Sequence, residues 1–195
     1  MRRRPLLFLA ASVLLLIWVG TWAINRRPFP ADTTPDGAYA RIALCIAERR
    51  PRDAFPYLET EAQWAAYTIR DIRKKACDRV RSSYPPGEGE RLIQAWHEEA
   101  DAPEGADVFA LLAVRRKWIA RLEKDLSGAA QVDVEGERAT VITARGTRYP
   151  FRRRDNGIWG LTVFTAELQA EAERASRDLD VVERAAADYD RVKGP

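Results

Sequence analysis

Apolar residues recur along the chain with two different periods, and the change of period separates a helical part from a strand part. Spacings of three and four residues predict helices at about 36–50, 59–82, 88–100 and 107–127. Apolar and polar residues alternate instead between 131 and 164, where short turns separate four segments. Such alternation is typical of an antiparallel meander. The pattern predicts an α+β domain over residues 36–164, with helices packed on a four-stranded antiparallel sheet.

Local signals mark the ends of several elements. Thr34 is a preferred N-cap residue and Pro35 suits the first helical position, so together they predict where the first helix begins. Asn156-Gly157 predicts a type I′ turn between the last two strands, because both residues accept a positive φ. Pro150 has no backbone N–H and should lie at an edge or a bulge of the sheet.

A last helix is predicted at about 166–192, within a C-terminal segment 165–195. Its apolar residues follow a heptad spacing over three repeats: Leu168, Ala172, Ala175, Leu179, Val182, Ala186 and Tyr189. This spacing is typical of the a and d positions of a coiled coil. The face is a candidate interaction surface, which packs either on its own domain or against a second chain.

The N-terminal segment 1–27 has the pattern of a membrane anchor. Residues 6–24 are apolar except for Ser12, Gly20 and Thr21, and a run of this length can span a bilayer. The cluster Arg2–Arg4 predicts that the N-terminus stays on the cytoplasmic side. We expect a single-pass helix, a Pro-rich linker at 28–35 and a domain outside the cytoplasm. The alternative is a cleaved signal peptide and a secreted protein.

Net charge argues against nucleic acid as a partner. The formal charge is +3, but five of the 32 basic side chains lie in residues 1–27, which hold no acid. The other 168 residues carry 27 basic and 29 acidic side chains. A basic nucleic-acid-binding surface is therefore not indicated for the domain.

The two cysteines, Cys45 and Cys77, are candidates for a disulfide, as expected in an oxidising compartment. They would meet if the first two helices pack antiparallel. The alternative is a pair of buried free thiols. Neither residue belongs to a CxxC pair, so a redox or zinc site is not indicated.

Few residues suggest catalytic chemistry. His97 is the only histidine, and one histidine without a second at i+4 does not indicate a metal site. Tyr149 is the one member with a polar tip in the predicted inward row of the sheet, which also contains Trp159. A plain core and a surface histidine account for these residues. The alternative is a small pocket using Tyr149, Trp159 and His97. No motif for a cofactor is present.

Two segments carry a family resemblance. The first helix opens Thr-Pro-Asp-Gly-Ala-Tyr (34–39), and the meander ends with Pro-Phe (150–151) followed by Asp-Asn-Gly-Ile-Trp (155–159). This resembles small bacterial exported domains of the nuclear-transport-factor-two-like superfamily, a cone-shaped α+β fold. The resemblance implies that the first helix lies in the concave side of the sheet. The chain departs from the family pattern in two respects: no strand is predicted between its early helices, and it has a C-terminal heptad helix.

These observations lead to two functional expectations. The first is a non-catalytic interaction or assembly module anchored in a bacterial inner membrane, with self-association or an envelope protein as its partner. The second is a small-ligand-binding domain or a proton-transfer enzyme that uses the interior of the cone. The superfamily hosts all of these activities, so the fold alone does not decide between them.

Overall fold

The computed structural model describes residues 29–193, which fold into an α+β structure. Its helices are α1 (Pro35–Ala47), α2 (Thr60–Ser83), α3 (Glu90–Ala100), α4 (Gly105–Arg115), α5 (Trp118–Asp125) and α6 (Thr165–Lys193), with a 3-10 helix at Pro51–Tyr57. Its strands are β1 (Ala129–Glu135), β2 (Arg138–Thr143), β3 (Arg148–Arg153) and β4 (Trp159–Leu161). The α+β class, the four-stranded antiparallel sheet, the C-terminal helix and three of the four earlier predicted helices are thus confirmed. The 3-10 helix, which begins at Pro51, was not predicted.

The sheet is a simple antiparallel meander in the order β1-β2-β3-β4. Pro150 lies in β3 opposite Thr140 of β2, and its carbonyl accepts the N–H of Thr162 on the other side. Backbone N–H and C=O of one strand residue point to the same side. The side of Pro150 that lacks an N–H donor therefore faces the end of β4, which stops at Leu161. The hydrogen bonds between β2 and β3 are not affected by the proline.

The hairpin between β3 and β4 forms, but its turn is not type I′. Only Gly157 has a positive φ, at 81°, whereas Asn156 does not. The N–H of Gly157 donates to Arg154 O at 2.8 Å, and Asn156 Oδ1 accepts from Ile158 N at 3.1 Å. The connection is thus a three-residue loop with glycine in the left-handed position, the next most common hairpin geometry.

The predicted helix 107–127 is in fact two helices, α4 and α5. The chain breaks at Lys117, which takes a left-handed backbone with φ 59°. The break redirects the chain so that Trp118 and Leu122 of α5 both reach the core. A continuous helix was wrongly predicted because apolar spacing runs through Arg115-Arg116-Lys117 without interruption.

The main core lies between the sheet and the helices that precede it. Helix α1 packs against β1, β2 and β4, and its Thr34 cap is confirmed by a 3.3 Å hydrogen bond from Gly37 N to Thr34 Oγ1. The buried side chains on the inner face of the sheet are Ala139, Val141, Tyr149, Phe151, Trp159 and Leu161. Val134 of β1 does not join them, since it is 53% exposed.

Helices α2 and α6 pack along each other as a parallel pair. Contacts between them advance together along both helices, from Glu59–Thr165 through Arg73–Asp178 to Ser83–Asp190. On the predicted heptad face, Leu168, Ala175, Val182 and Ala186 are buried, and Ala172, Leu179 and Tyr189 are half-buried. Of the two predicted arrangements, the structure shows the intramolecular one: the face is covered within its own chain.

The two cysteines are buried free thiols, so the predicted disulfide does not form. Cys45 of α1 joins the main core, whereas Cys77 lies on α2, which packs chiefly against α6, α3 and α4 rather than α1. The antiparallel α1–α2 pair that the bridge required is absent from the described structure. Burial raises the pKa of both thiols, which keeps them protonated and poorly nucleophilic at neutral pH.

The predicted anchor at 6–24 lies outside the described residues. Among residues 29–193, no helix is both long enough and apolar enough to cross a bilayer.

Candidate functional site

Helix α4 is apolar on two sides, although only one side faces the core. Val108, Phe109, Leu112 and Ala113 are buried in the core. Ala110, Leu111 and Val114 continue the spacing of three and four residues on the other side, where Val114 is 66% exposed. A helix that is apolar all round is normally buried all round. The outer side of α4 is therefore only partly covered, since Ala110 and Leu111 are half-buried and Val114 is exposed.

This surface forms one wall of a groove of about 810 Å³ between α3, α4 and the chain that follows α1. Its apolar lining consists of Pro51, Ala102, Pro103, Ala110, Leu111 and Val114. Its polar lining consists of Arg49, His97, Glu98, Asp101, Asp107 and Arg115. A hollow lined by both apolar side chains and polar groups is able to bind another molecule, the apolar side chains by contact and the polar groups by fixing its orientation.

A second, smaller hollow of about 280 Å³ adjoins the groove. It shares Arg49, Pro51 and Val114 with the larger one and extends along α5 to Ile119 and Glu123. The two hollows thus flank a ridge that carries Val114. We call the whole surface, formed by the lining of both hollows, the α4–α5 face.

Buried ion pairs fix the two helical walls of the groove. Glu99 of α3 is 5% exposed and accepts from Arg73 Nε of α2 at 3.1 Å and from Arg115 Nη1 of α4 at 2.6 Å. Arg73 Nη1 also donates to Asp178 of α6 at 2.7 Å, and its guanidinium lies 4.7 Å from the centre of the Trp96 ring. The carboxylate of Glu99 therefore links α2, α3 and α4 directly beneath the site.

Two charged groups at the groove have no charged partner among the described residues. Asp107 pairs with Arg52, and Arg115 pairs with Glu98 and Glu99. In contrast, the side chains of Arg49 and Asp101 make no ion pair or hydrogen bond within residues 29–193. Arg49 follows the end of α1 with a left-handed backbone, φ 56°, and Asp101 caps the end of α3. Opposite charges thus flank one apolar surface and are free to pair with a binding partner.

His97 is half-buried at the same groove, one helical turn before Asp101. Its Nδ1 lies 2.9 Å from the backbone oxygen of Gln94. A carbonyl can only accept, so Nδ1 carries the hydrogen, and in the neutral ring Nε2 is left as an acceptor. His97 and Asp101 together offer acceptors to a donor group on a bound molecule.

The structure does not bring the three predicted pocket residues together. His97 lines the α4–α5 face, whereas Tyr149 and Trp159 are buried in the sheet core and do not line it. Trp159 Nε1 donates to the backbone oxygen of Thr33 at 3.1 Å, which secures the start of the domain to β4. Tyr149 packs against Tyr39 with 5.3 Å between ring centroids, and its hydroxyl has no hydrogen-bond partner.

Replacing Tyr149 with Phe should leave stability at pH 7 unchanged or slightly higher, within about 1 kcal/mol, because an unpartnered buried hydroxyl contributes no bond. Burial raises the pKa of Tyr149 from 10.0 to about 12. Below pH 10 the Tyr149 hydroxyl is neutral in both the folded and the unfolded state, and its contribution to stability is complete. As the pH rises towards 12 this contribution is lost, because the hydroxyl ionises in the unfolded chain before it ionises in the folded one. Urea unfolding at pH 7 and pH 11 should therefore show a smaller alkaline loss for Tyr149→Phe.

Tyr39→Phe is the matched control for this measurement. The hydroxyl of Tyr39 donates to Ser127 O at 2.7 Å, so its removal should cost about 1 kcal/mol at pH 7. An equal cost for Tyr149→Phe would show that the hydroxyl of Tyr149 has a partner, as an interior ligand site would require.

The composition of the groove suits binding better than covalent catalysis. The described residues that line it include no Ser, Thr, Tyr or Cys, so none supplies a hydroxyl or thiol nucleophile. No cluster of three or more metal-ligating side chains occurs within the described range. What the groove does present is an apolar surface, unpaired charges of both signs and an imidazole acceptor.

Comparison with known proteins gives no significant match to this chain, whether with family models, curated proteins or solved structures.

Proposed function

We propose that this chain is a membrane-tethered, non-catalytic binding module that acts outside the cytoplasm of a bacterial cell, and that its α4–α5 face is the surface that binds a protein partner. One observation carries the proposal: α4 keeps an only partly covered apolar side next to the unpaired charges of Arg49 and Asp101. An exposed apolar patch with polar residues at its rim is typical of a surface that binds another molecule.

The N-terminal pattern supports the tether. Residues 6–24 form the apolar run, and the domain begins at Pro35. The ten residues between Ile24 and Pro35 reach at most about 35 Å when fully extended. Such a tether would confine the chain to the neighbourhood of the membrane and of other membrane-bound proteins.

The position of α1 supports the resemblance to the nuclear-transport-factor-two-like superfamily. In that superfamily the opening helix lies on the concave side of the sheet, and here α1 packs on the inner face of the meander. Scaffold proteins are among the roles that this fold serves, so the proposal agrees with it. The fold leaves the choice of partner to the α4–α5 face.

A small amphiphilic ligand is the second candidate occupant. The groove volume of about 810 Å³ lies within the range of small-molecule sites, roughly 300–1,000 Å³. Such a ligand would place an acceptor group near Arg49 and a donor group near Asp101. It would add a few hundred daltons to the mass of the protein purified under mild conditions, roughly the mass of a drug-sized molecule.

A photo-crosslinking amino acid at position 114 tests the proposal in membranes that contain the full chain. We expect a protein adduct at 114, because the α4–α5 face is covered in the assembled state. Val181 is the matched control, since it is also a helical valine and is 56% exposed on α6. Equal adducts at 114 and 181, or none at 114, would contradict the proposal.

A further inference from the structure

The α4–α5 face carries unpaired charges of both signs in balance. Arg49 and Lys117 are its unpaired cations, and Asp101 and Glu123 are its unpaired acids, none of them in an ion pair within the part of the chain that the structure describes. A patch with a large excess of one sign repels a copy of itself, whereas a balanced patch does not. The charges of this surface therefore allow it to bind the same surface of a second copy.

We infer that the α4–α5 face binds the α4–α5 face of a second copy of this chain, forming a twofold-symmetric dimer in which Arg49 of each chain pairs with Asp101 of the other. This inference rests on the proposed function and names its partner. In an isologous interface every contact occurs twice, so the pairing of Arg49 with Asp101 gives both of these groups a partner in both chains. A partner of another sequence would need its own matching pair of charges.

The shape of the face supports the same occupant. The ridge that carries Val114 separates the larger hollow from the smaller one. Helices pack when the ridges of one enter the grooves of the other. Under a twofold rotation, the Val114 ridge of each copy enters a hollow of its partner. The side chains of Ala110 and Ala120 line these hollows and are small enough to let the two backbones approach.

Because the tether would hold the copies in one membrane, even a weak contact between two α4–α5 faces can form a dimer. Copies held in one membrane by their N-terminal segments meet at an effective concentration far above their bulk concentration. A small interface with two pairs of partly buried charges can then form a dimer in the membrane and dissociate on dilution. The affinity should accordingly depend on protein concentration and on salt.

Charge exchange between Arg49 and Asp101 tests the pairing. Arg49→Glu and Asp101→Lys each place like charges together in both halves of the dimer, so each should weaken dimerisation about tenfold or more. The double variant Arg49→Glu/Asp101→Lys restores opposite charges and should recover the dimer to within about threefold. Arg177→Glu, a change at an exposed arginine of α6, is the control and should leave dimerisation unchanged.

The readout is the fraction of the full chain that a photo-crosslinker at position 114 joins to a second copy in intact membranes, recorded over a range of protein-to-lipid ratios. Circular dichroism melting of each variant verifies that it is folded. A species of twice the chain mass of 22.1 kDa, lost in both single variants and recovered in the double one, would support the inference. A chain that stays monomeric throughout, or a dimer that neither single variant weakens, would overturn it.

Crosslinking at position 114 separates failure of the dimer from failure of the proposed function. An adduct of twice the chain mass agrees with both. An adduct of a different mass, together with a monomeric chain, rejects the dimer and leaves the binding face in place. An absence of any adduct rejects both.

Discussion

Replacing Glu99 with Gln should lower the free energy of unfolding by about 3 kcal/mol, the largest effect expected from a single polar substitution in this chain. The side chains of Glu99 and Arg73 are only 7% and 6% exposed, so water cannot replace the lost charge. Glu99 accepts from Arg73 with one carboxylate oxygen and from Arg115 with the other. A glutamine amide keeps one acceptor oxygen and turns its NH2 group towards one of these two guanidinium donors. Arg73 then keeps a single charged partner, Asp178.

Thermal and urea unfolding of the full chain measure this loss, and Glu98→Gln is the neighbouring control. Glu98 is 54% exposed and makes one ion pair with Arg115 at 2.8 Å. An exposed pair of this kind contributes about 0.5 kcal/mol or less. If the two variants were equally stable, Glu99 would not be the buried anion that links three helices.

The same substitution should also affect the α4–α5 face. Glu99 lies on α3 and Arg115 on α4, which form the two helical walls of the larger hollow. When this buried link is removed, the exposed Arg115–Glu98 pair is the remaining ion pair of Arg115 to α3, and it holds the two walls less firmly. We therefore expect Glu99→Gln to weaken dimerisation as well as stability, whereas Tyr149→Phe, which changes only the sheet core, should leave dimerisation unchanged.

Replacing Gly160 with Ala should destabilise the protein by about 2–3 kcal/mol. A methyl group at Gly160 would lie 2.6 Å from the Cα of Glu59 and 2.7 Å from its N. Both are backbone atoms, and this segment is held in place because Glu59 N–H donates to Leu161 O at 3.2 Å. Neither strand β4 nor the start of α2 can move aside without losing this contact.

Gly128→Ala is the matched control for Gly160→Ala. A methyl group at Gly128 meets no atom within 4 Å, and its φ lies outside the left-handed region. The substitution should be neutral or stabilise the protein by up to about 1 kcal/mol, because alanine lowers the conformational entropy of the unfolded chain. The melting temperatures of the two variants should therefore differ clearly. Equal values would show that β4 does not pack on Glu59 as described.

Elements that depend on local signals were predicted well from the sequence. The N-cap at Thr34, the α2 and α6 stripes and the four strands all follow from residues close together in the chain. The predicted helix boundaries were wrong where the backbone conformation of one residue ends a helix, as the left-handed conformation of Lys117 does between α4 and α5. The 3-10 helix was missed because Pro51 and Pro56 indicate only where an α-helix ends.

Features that depend on distant residues could not be predicted in this way. The pairing of Arg73 with Glu99 and Asp178 joins residues 26 and 105 positions apart, and no spacing rule indicates it. The disulfide was wrongly expected because helix pairing was assumed, and the structure pairs α2 with α6 instead. The α4–α5 face did have a signal in the sequence, because apolar residues surround α4, and one of them, Leu111, lines the groove.

The most direct test of the binding face is the protection of a thiol at position 114. The full chain carrying Val114→Cys is labelled in intact membranes with a membrane-impermeant maleimide, beside a chain carrying Val181→Cys. Native Cys45 and Cys77 are buried and stay unlabelled until the protein is denatured. We expect slow labelling at 114 in membranes, fast labelling at 181, and equal labelling once the assembly is dissociated by dilution in detergent. Fast labelling at 114 in intact membranes would contradict it.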